Sequence, residues 1–105
     1  DLAGMSRIAE VHADLSEVQV VDVRSHAEFD DFHLAGSHHI PLEQLRSELA
    51  TKLDPALPTV TLCFSGQRGH VAARILQQNG FNDVRNLSGG IRMRRYARPQ
   101  DIAND

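Results

Sequence analysis

The chain carries one cysteine, Cys63, and the residues after it run Phe64, Ser65, Gly66, Gln67, Arg68, Gly69. A lone thiol is either a small buried filler or a nucleophile, and its surroundings decide which. Here glycines allow the backbone to curl so that several N–H groups face one point. A helix beginning at about Gly69 would add its unsatisfied donors and the positive end of its dipole. Together with the guanidinium of Arg68, this arrangement favours the thiolate, the form that attacks. The plainer reading, in which Cys63 merely ends a buried strand and the loop is an ordinary strand-to-helix turn, stays open on these residues alone.

Other residues that could do chemistry make weaker cases. Six histidines include His33, His38 and His39 close together. No second cysteine or carboxylate completes a metal constellation, and neighbours in a strand point to opposite faces, so no metal site is expected. His70 reads as a solvated helix residue rather than a participant at the rim. Arg92, Arg94, Arg95 and Arg98 form the one basic cluster, read as a solvated helix end that suits the dipole rather than as a docking rim. A formal charge of -3 over 105 residues gives no global basic field, so no nucleic-acid partner is expected. No apolar run approaches the roughly 18 residues of a membrane span, and the opening residues lack a signal-like apolar stretch. With a single cysteine and no internal disulfide available, the expected compartment is the cytoplasm.

The elements that must position Cys63 follow from hydrophobic pattern and punctuation. Val18–Val23 and Thr59–Phe64 are β-branched runs of the kind buried on both faces of a parallel sheet. Between them Ser25 and Glu28 have capping-box spacing, which starts a short helix through about Phe32, followed by a polar turn over 33–37. His39-Ile40-Pro41 ends a short strand, and Leu42, Leu45, Leu49 and Leu53 then recur at helical spacing. After the cysteine loop, Val71, Ala72, Ile75 and Leu76 form the stripe of another helix, stopped by Asn79-Gly80. A strand over 84–87 and a short helix over 91–96 lead into a polar tail, 99–105, with little to anchor it. This alternation predicts one α/β domain over 1–105, with a central parallel sheet flanked by helices on both faces and the site at the carboxyl ends of the strands.

Several separated stretches together resemble the rhodanese, or sulfurtransferase, family from about Val18 to Tyr96. They are Val20-Val-Asp-Val-Arg24 with Glu28-Phe29, His33-Leu-Ala-Gly36 with Ile40-Pro41, the loop Cys63-Phe-Ser-Gly-Gln-Arg68, and Asn86-Leu-Ser-Gly-Gly90. The resemblance implies a rhodanese-like fold and a double displacement. Cys63 takes a sulfane sulfur from a small donor (thiosulfate, a polysulfide or a low-molecular-weight persulfide) and passes it to a thiol or another thiophilic acceptor. Backbone N–H groups from Phe64 to Gly69 would cradle the outer sulfur, and Arg68 would hold the loop and attract an anionic donor. Asp22, Arg24 and Glu28 would be scaffold ion pairs. The six-residue loop matches sulfur transfer, whereas related cysteine phosphatases and arsenate reductases use one residue more; a phosphoryl group has three equatorial oxygens to satisfy.

Two positions depart from the family pattern: Phe64 stands where many members carry a basic residue, and Gly69 where many carry Ser. Both weaken the case for thiosulfate as donor. A closer resemblance links Arg68–Phe81 and Asn86–Gly90 to the C-terminal rhodanese modules of flavin-dependent coenzyme A-disulfide or persulfide reductases. It leaves room for residues 1–7 to be a linker from a preceding flavoenzyme domain in the same parent chain. FAD, NAD(P)H and CoA would then belong to that domain, since no Gly-x-Gly-x-x-Gly fingerprint occurs here and this chain needs no cofactor. A non-catalytic rhodanese module for protein interaction or sulfur sensing is the alternative.

Overall fold

The computed structural model describes residues 9–11, 15, 17–87 and 89–103, the first three by backbone alone. Strand β1 (Ala9–Val11) is followed by β2 (Gln19–Asp22), whose four residues are all buried. Ser25 then caps helix α1 (His26–Asp31): its hydroxyl accepts the Glu28 amide while the Glu28 carboxylate accepts the Ser25 amide. This reciprocal box satisfies two donors that the helix start would otherwise leave open. Short strands β3 (His33–Leu34) and β4 (His38–His39) precede a 3-10 turn, Leu42–Gln44, and helix α2 (Leu45–Lys52). Strand β5 (Thr59–Leu62) feeds helix α3 (Gln67–Gln78), and β6 (Val84–Leu87) feeds α4 (Gly90–Ala97). A 3-10 turn, Pro99–Asp101, and β7 (Ile102–Ala103) follow.

The main sheet has the order β1-β6-β5-β2-β4 with every pairing parallel, so β5, the strand that delivers Cys63, lies in the middle. Alternation along the strands splits the core in two. Val21, Val23 and Val84 face Leu45, Leu49, Ala72, Ala73, Ile75 and Leu76 of α2 and α3. On the other face Val20, Val60, Leu62 and Leu87 pack with Ile91 of α4 and Leu34 of β3. Helices therefore cover both faces, as the β-branched runs require.

Four details differ from the expectations above. Helix α3 starts at Gln67 rather than at about Gly69, with Gly66, at φ +116°, as its N-cap. Val71 is 49% exposed, and the buried stripe runs through Gly69, Ala72, Ala73, Ile75 and Leu76. The segment 99–103 is anchored: Ile102 and Ala103 pair antiparallel with Leu34 and His33, and the Asp101 carboxylate takes Arg94 and Arg98. Arg94 is accordingly buried, not solvated. Residues 1–7 and 104–105 lie outside the described residues.

Candidate active site

Cys63 follows β5 directly, at the carboxyl end of the central strand. Open parallel sheets bind ligands at that end. The residue is 1% exposed and shares a core cluster with Val21, Val23 and Ala72. Its Sγ accepts the Gly66 amide at 3.0 Å. Behind Gly66, the first turn of α3 has N–H groups with no acceptor in their own helix. The loop's carbonyls are turned the other way: Cys63 accepts the Ile91 amide at 2.8 Å and Phe64 the Arg92 amide at 3.0 Å. The Gly66 amide thus faces the sulfur while the Cys63 and Phe64 carbonyls are spent on α4. This closure requires Gly90, where a Cβ would lie 2.3 Å from the Phe64 carbonyl oxygen and 2.5 Å from that of Cys63.

Asn86, buried in β6, locks the loop from the side. Its Nδ2 donates to the Gly66 carbonyl at 3.1 Å, and its Oδ1 accepts the Thr61 hydroxyl at 3.2 Å. The same single hydroxyl proton is shared with the Gly69 carbonyl, the nearer acceptor at 2.8 Å. These contacts explain Gly69: a Cβ there would lie 2.0 Å from Asn86 Oδ1. Gly69→Ala is therefore expected to destabilise the fold by about 1–3 kcal/mol, although alanine is the better helix former. In Gly69→Ala/Asn86→Ala the loss should fall short of the sum of the single losses by about 1 kcal/mol, as urea unfolding of the four proteins would show. Strict additivity would remove this explanation.

Arg68 does not stand as a free cation beside Cys63. Its terminal nitrogens both donate to Glu28, at 2.8 and 2.9 Å, across a separation of forty residues in sequence. The hydrogen bonds from Arg68 hold the Glu28 carboxyl down at about 2, assisted by the Ser25 amide and hydroxyl and opposed by burial. Arg68 is raised above its ordinary value, first by Glu28 and to a smaller extent by Cys63 and Asp22. A depressed carboxyl contributes stability that is complete above its unfolded value, near 4.5, and lost as pH falls through the folded value of about 2. Both side chains are about a third exposed, 39% and 33%, so solvent screening reduces the effect to about 1 kcal/mol. Between pH 4.5 and 2 the wild type should lose about that much more unfolding free energy than Glu28→Gln. Equal losses would dissociate the ion pair from stability.

Helix α1, which carries Glu28, is itself pinned. Asp22 and Arg24 form a fully buried ion pair, with Arg24 Nη2 2.8 Å from Asp22 Oδ2. Arg24 also donates to the carbonyls of Phe32, at 2.7 Å, and Glu28, at 3.3 Å. Phe29 is sandwiched between His33 and His39, ring centroids 4.0 and 4.3 Å apart. His39 Nε2 lies 2.8 Å from the Arg24 carbonyl oxygen. Two of the three clustered histidines thus serve as stacking surfaces, and no group of potential metal ligands occurs among the described residues.

Of the loop residues expected to bind substrate, Gly66 and Gly69 are buried, Arg68 is half-buried, and Phe64, Ser65 and Gln67 are exposed. Nothing local in the sequence marks Asn86, Thr61 or Gly90 individually as site residues. Asn86 and Gly90 bound a stretch that had carried the resemblance, but only the folded chain brings them against the loop. In the basic cluster, Arg95 stacks over the Phe32 ring at 4.7 Å, and Arg92 is exposed.

Residues 8–93 match the model of the Rhodanese-like domain family. Thiosulfate sulfurtransferase GlpE of Pseudomonas fluorescens (strain Pf0-1) is 36% identical over 84 residues, 80% of this chain and 76% of GlpE. Among solved structures, reduced CoADR-RHD of Bacillus anthracis superposes with a TM-score of 0.74 at 32% identity. The match covers 82% of this chain and only 15% of that one. An NAD-dependent persulfide reductase from A. fulgidus gives 0.70 at 31% identity, over 87% of this chain and 16% of that one.

Proposed function

Because the chain belongs to the rhodanese-like domain family, we propose that it is a sulfurtransferase in which Cys63 carries sulfur as a persulfide. The thiolate attacks the sulfane sulfur of a donor, the donor's S–S bond breaks, and the leaving group departs with the electron pair. A thiophilic acceptor then takes the outer sulfur and returns the Cys63 thiolate. The observation that carries this reading is the bond from the Gly66 amide to Cys63 Sγ at the carboxyl end of the central strand. Charge developing on sulfur meets the oriented Gly66 N–H there at no cost in reorganisation. The name and identity of GlpE support the same reaction class.

The two reductase structures, of which this chain matches about one-sixth, support a second part of the proposal. In this part a flavoenzyme domain of the same parent chain reduces the Cys63 persulfide. FAD, NAD(P)H and CoA would be bound by that domain.

Intact-mass measurement after incubation with thiosulfate, inorganic polysulfide or glutathione persulfide is expected to show one added sulfur atom on the protein. Absence of an adduct with all three would replace transfer by the non-catalytic module as the function.

A further inference from the structure

The rim around Cys63 holds an electrostatic feature that the reaction alone does not require. Arg68 is the one cation in the stretch 63–69, and both of its terminal nitrogens are taken by Glu28. The remaining exposed side chains of the loop are neutral: Phe64, at 39% exposure, Ser65 and Gln67. Met93, 55% exposed, covers Gly89, with its Cγ 2.3 Å from where a Cβ of Gly89 would sit. The Gly89 amide in turn lies 3.9 Å from a Cβ position on Gly66, which places Met93 at the loop's edge. Arg92 is solvated on α4, and a solvated cation attracts weakly at physiological salt.

On the sulfurtransferase reading above, we propose that Glu28 is a specificity-determining positioning residue. By neutralising Arg68 it turns the site away from thiosulfate, a dianion, and toward organic persulfides whose carbon-bearing end contacts Phe64 and Met93. With such a donor, R–S–SH, the Cys63 thiolate attacks the outer sulfur and the S–S bond breaks. R–S⁻ leaves with the electron pair, and the proton stays on the new Cys63–S–SH. The product anion carries the same single charge as the attacking thiolate, so no added cation is needed at the leaving group. Thiosulfate instead brings two negative charges to the rim and releases sulfite with two, and the compensated Arg68 offers little against either. Glutamine at position 28 keeps one acceptor oxygen, which can serve the Ser25 amide and Arg68 Nη1 as a single Glu28 oxygen does here, and loses the one that takes Arg68 Nη2. It thus exposes the guanidinium charge without removing the helix cap.

The test is the rate of Cys63 loading, followed by intact mass, from thiosulfate and from an uncharged alkyl persulfide, R–S–SH. It compares the wild type, Glu28→Gln and Phe64→Lys. The wild type is expected to load at least about tenfold faster from the persulfide, and each variant to narrow that ratio roughly tenfold by accelerating thiosulfate, with the gain fading at high salt. A merely structural Glu28 would slow both donors together and leave the ratio unmoved. Phe64→Lys introduces a cation without touching the ion pair, so the proposal stays open to refutation even if Glu28→Gln folds poorly. A ratio that a folded Glu28→Gln leaves unmoved, one that Phe64→Lys leaves unmoved, or a wild type that prefers thiosulfate overturns this inference alone. No loading from either donor or from inorganic polysulfide overturns the transfer reading beneath it.

Discussion

Cys63→Ser is expected to abolish sulfur loading, with a rate loss of at least about a thousandfold, equivalent to about 4 kcal/mol or more in the barrier. A hydroxyl at this position can still accept the Gly66 amide that Sγ accepts at 3.0 Å. It ionises far less readily than a thiol, however, and a serine–sulfur bond would not serve as a sulfane carrier. The effect on the fold should be small by comparison. The site is 1% exposed within an apolar cluster, so the added polarity costs about 1 kcal/mol, partly offset by the retained hydrogen bond. The two readouts therefore separate: intact mass and turnover should fail while the urea midpoint moves little. No other thiol exists in the chain, so residual loading in Cys63→Ser would exclude a persulfide at cysteine altogether.

What the sequence made legible was local. Ser25 and Glu28 announced their capping box by spacing, and the structure contains both of its hydrogen bonds. The β-branched run before Cys63 placed it at a strand's carboxyl end, and the structure makes that strand central. What stayed hidden depends on contacts between distant residues. Nothing at Gly69 signals that Asn86 Oδ1 occupies the space of its missing Cβ. Arg68 reads as a cation available to a donor until folding brings Glu28 to it. Strands β3 and β7, two residues each, are too short for a period-2 pattern, and Asp101 becomes an anchor only because α4 presents Arg94 and Arg98 to it. Helix α3 begins two residues early for a related reason: the left-handed conformation that Gly66 takes as N-cap is fixed by the strand and helix that the loop must join.

Arg24→Met is the substitution expected to cost the fold most. Arg24 Nε and Nη2 both bond the Asp22 carboxylate, and the two residues are 1% and 0% exposed. Removing the guanidinium leaves a buried carboxylate without its counter-ion, which costs about 3–5 kcal/mol. A domain of this size has about 5–15 kcal/mol in total, so the loss removes a substantial part of the stability and lowers the urea midpoint sharply. The Phe32 and Glu28 carbonyls lose their donor as well, so the molecules that remain folded hold α1 loosely. Since α1 carries Glu28, and Glu28 holds Arg68, loading of Cys63 should fall further than the folded fraction does. Asp22→Leu/Arg24→Met separates the two consequences. Eliminating both charges should recover much of the stability, because a buried pair replaced by apolar groups is close to neutral. It should not recover loading, because the carbonyls at the end of α1 remain without their donor. A double variant as unstable as Arg24→Met would mean that the loss comes from backbone groups left unpaired, those carbonyls and the Arg24 amide that Asp22 accepts at 3.0 Å, and not from the orphaned charge. A double variant restored in both respects would mean that α1 needs no anchor to present Glu28.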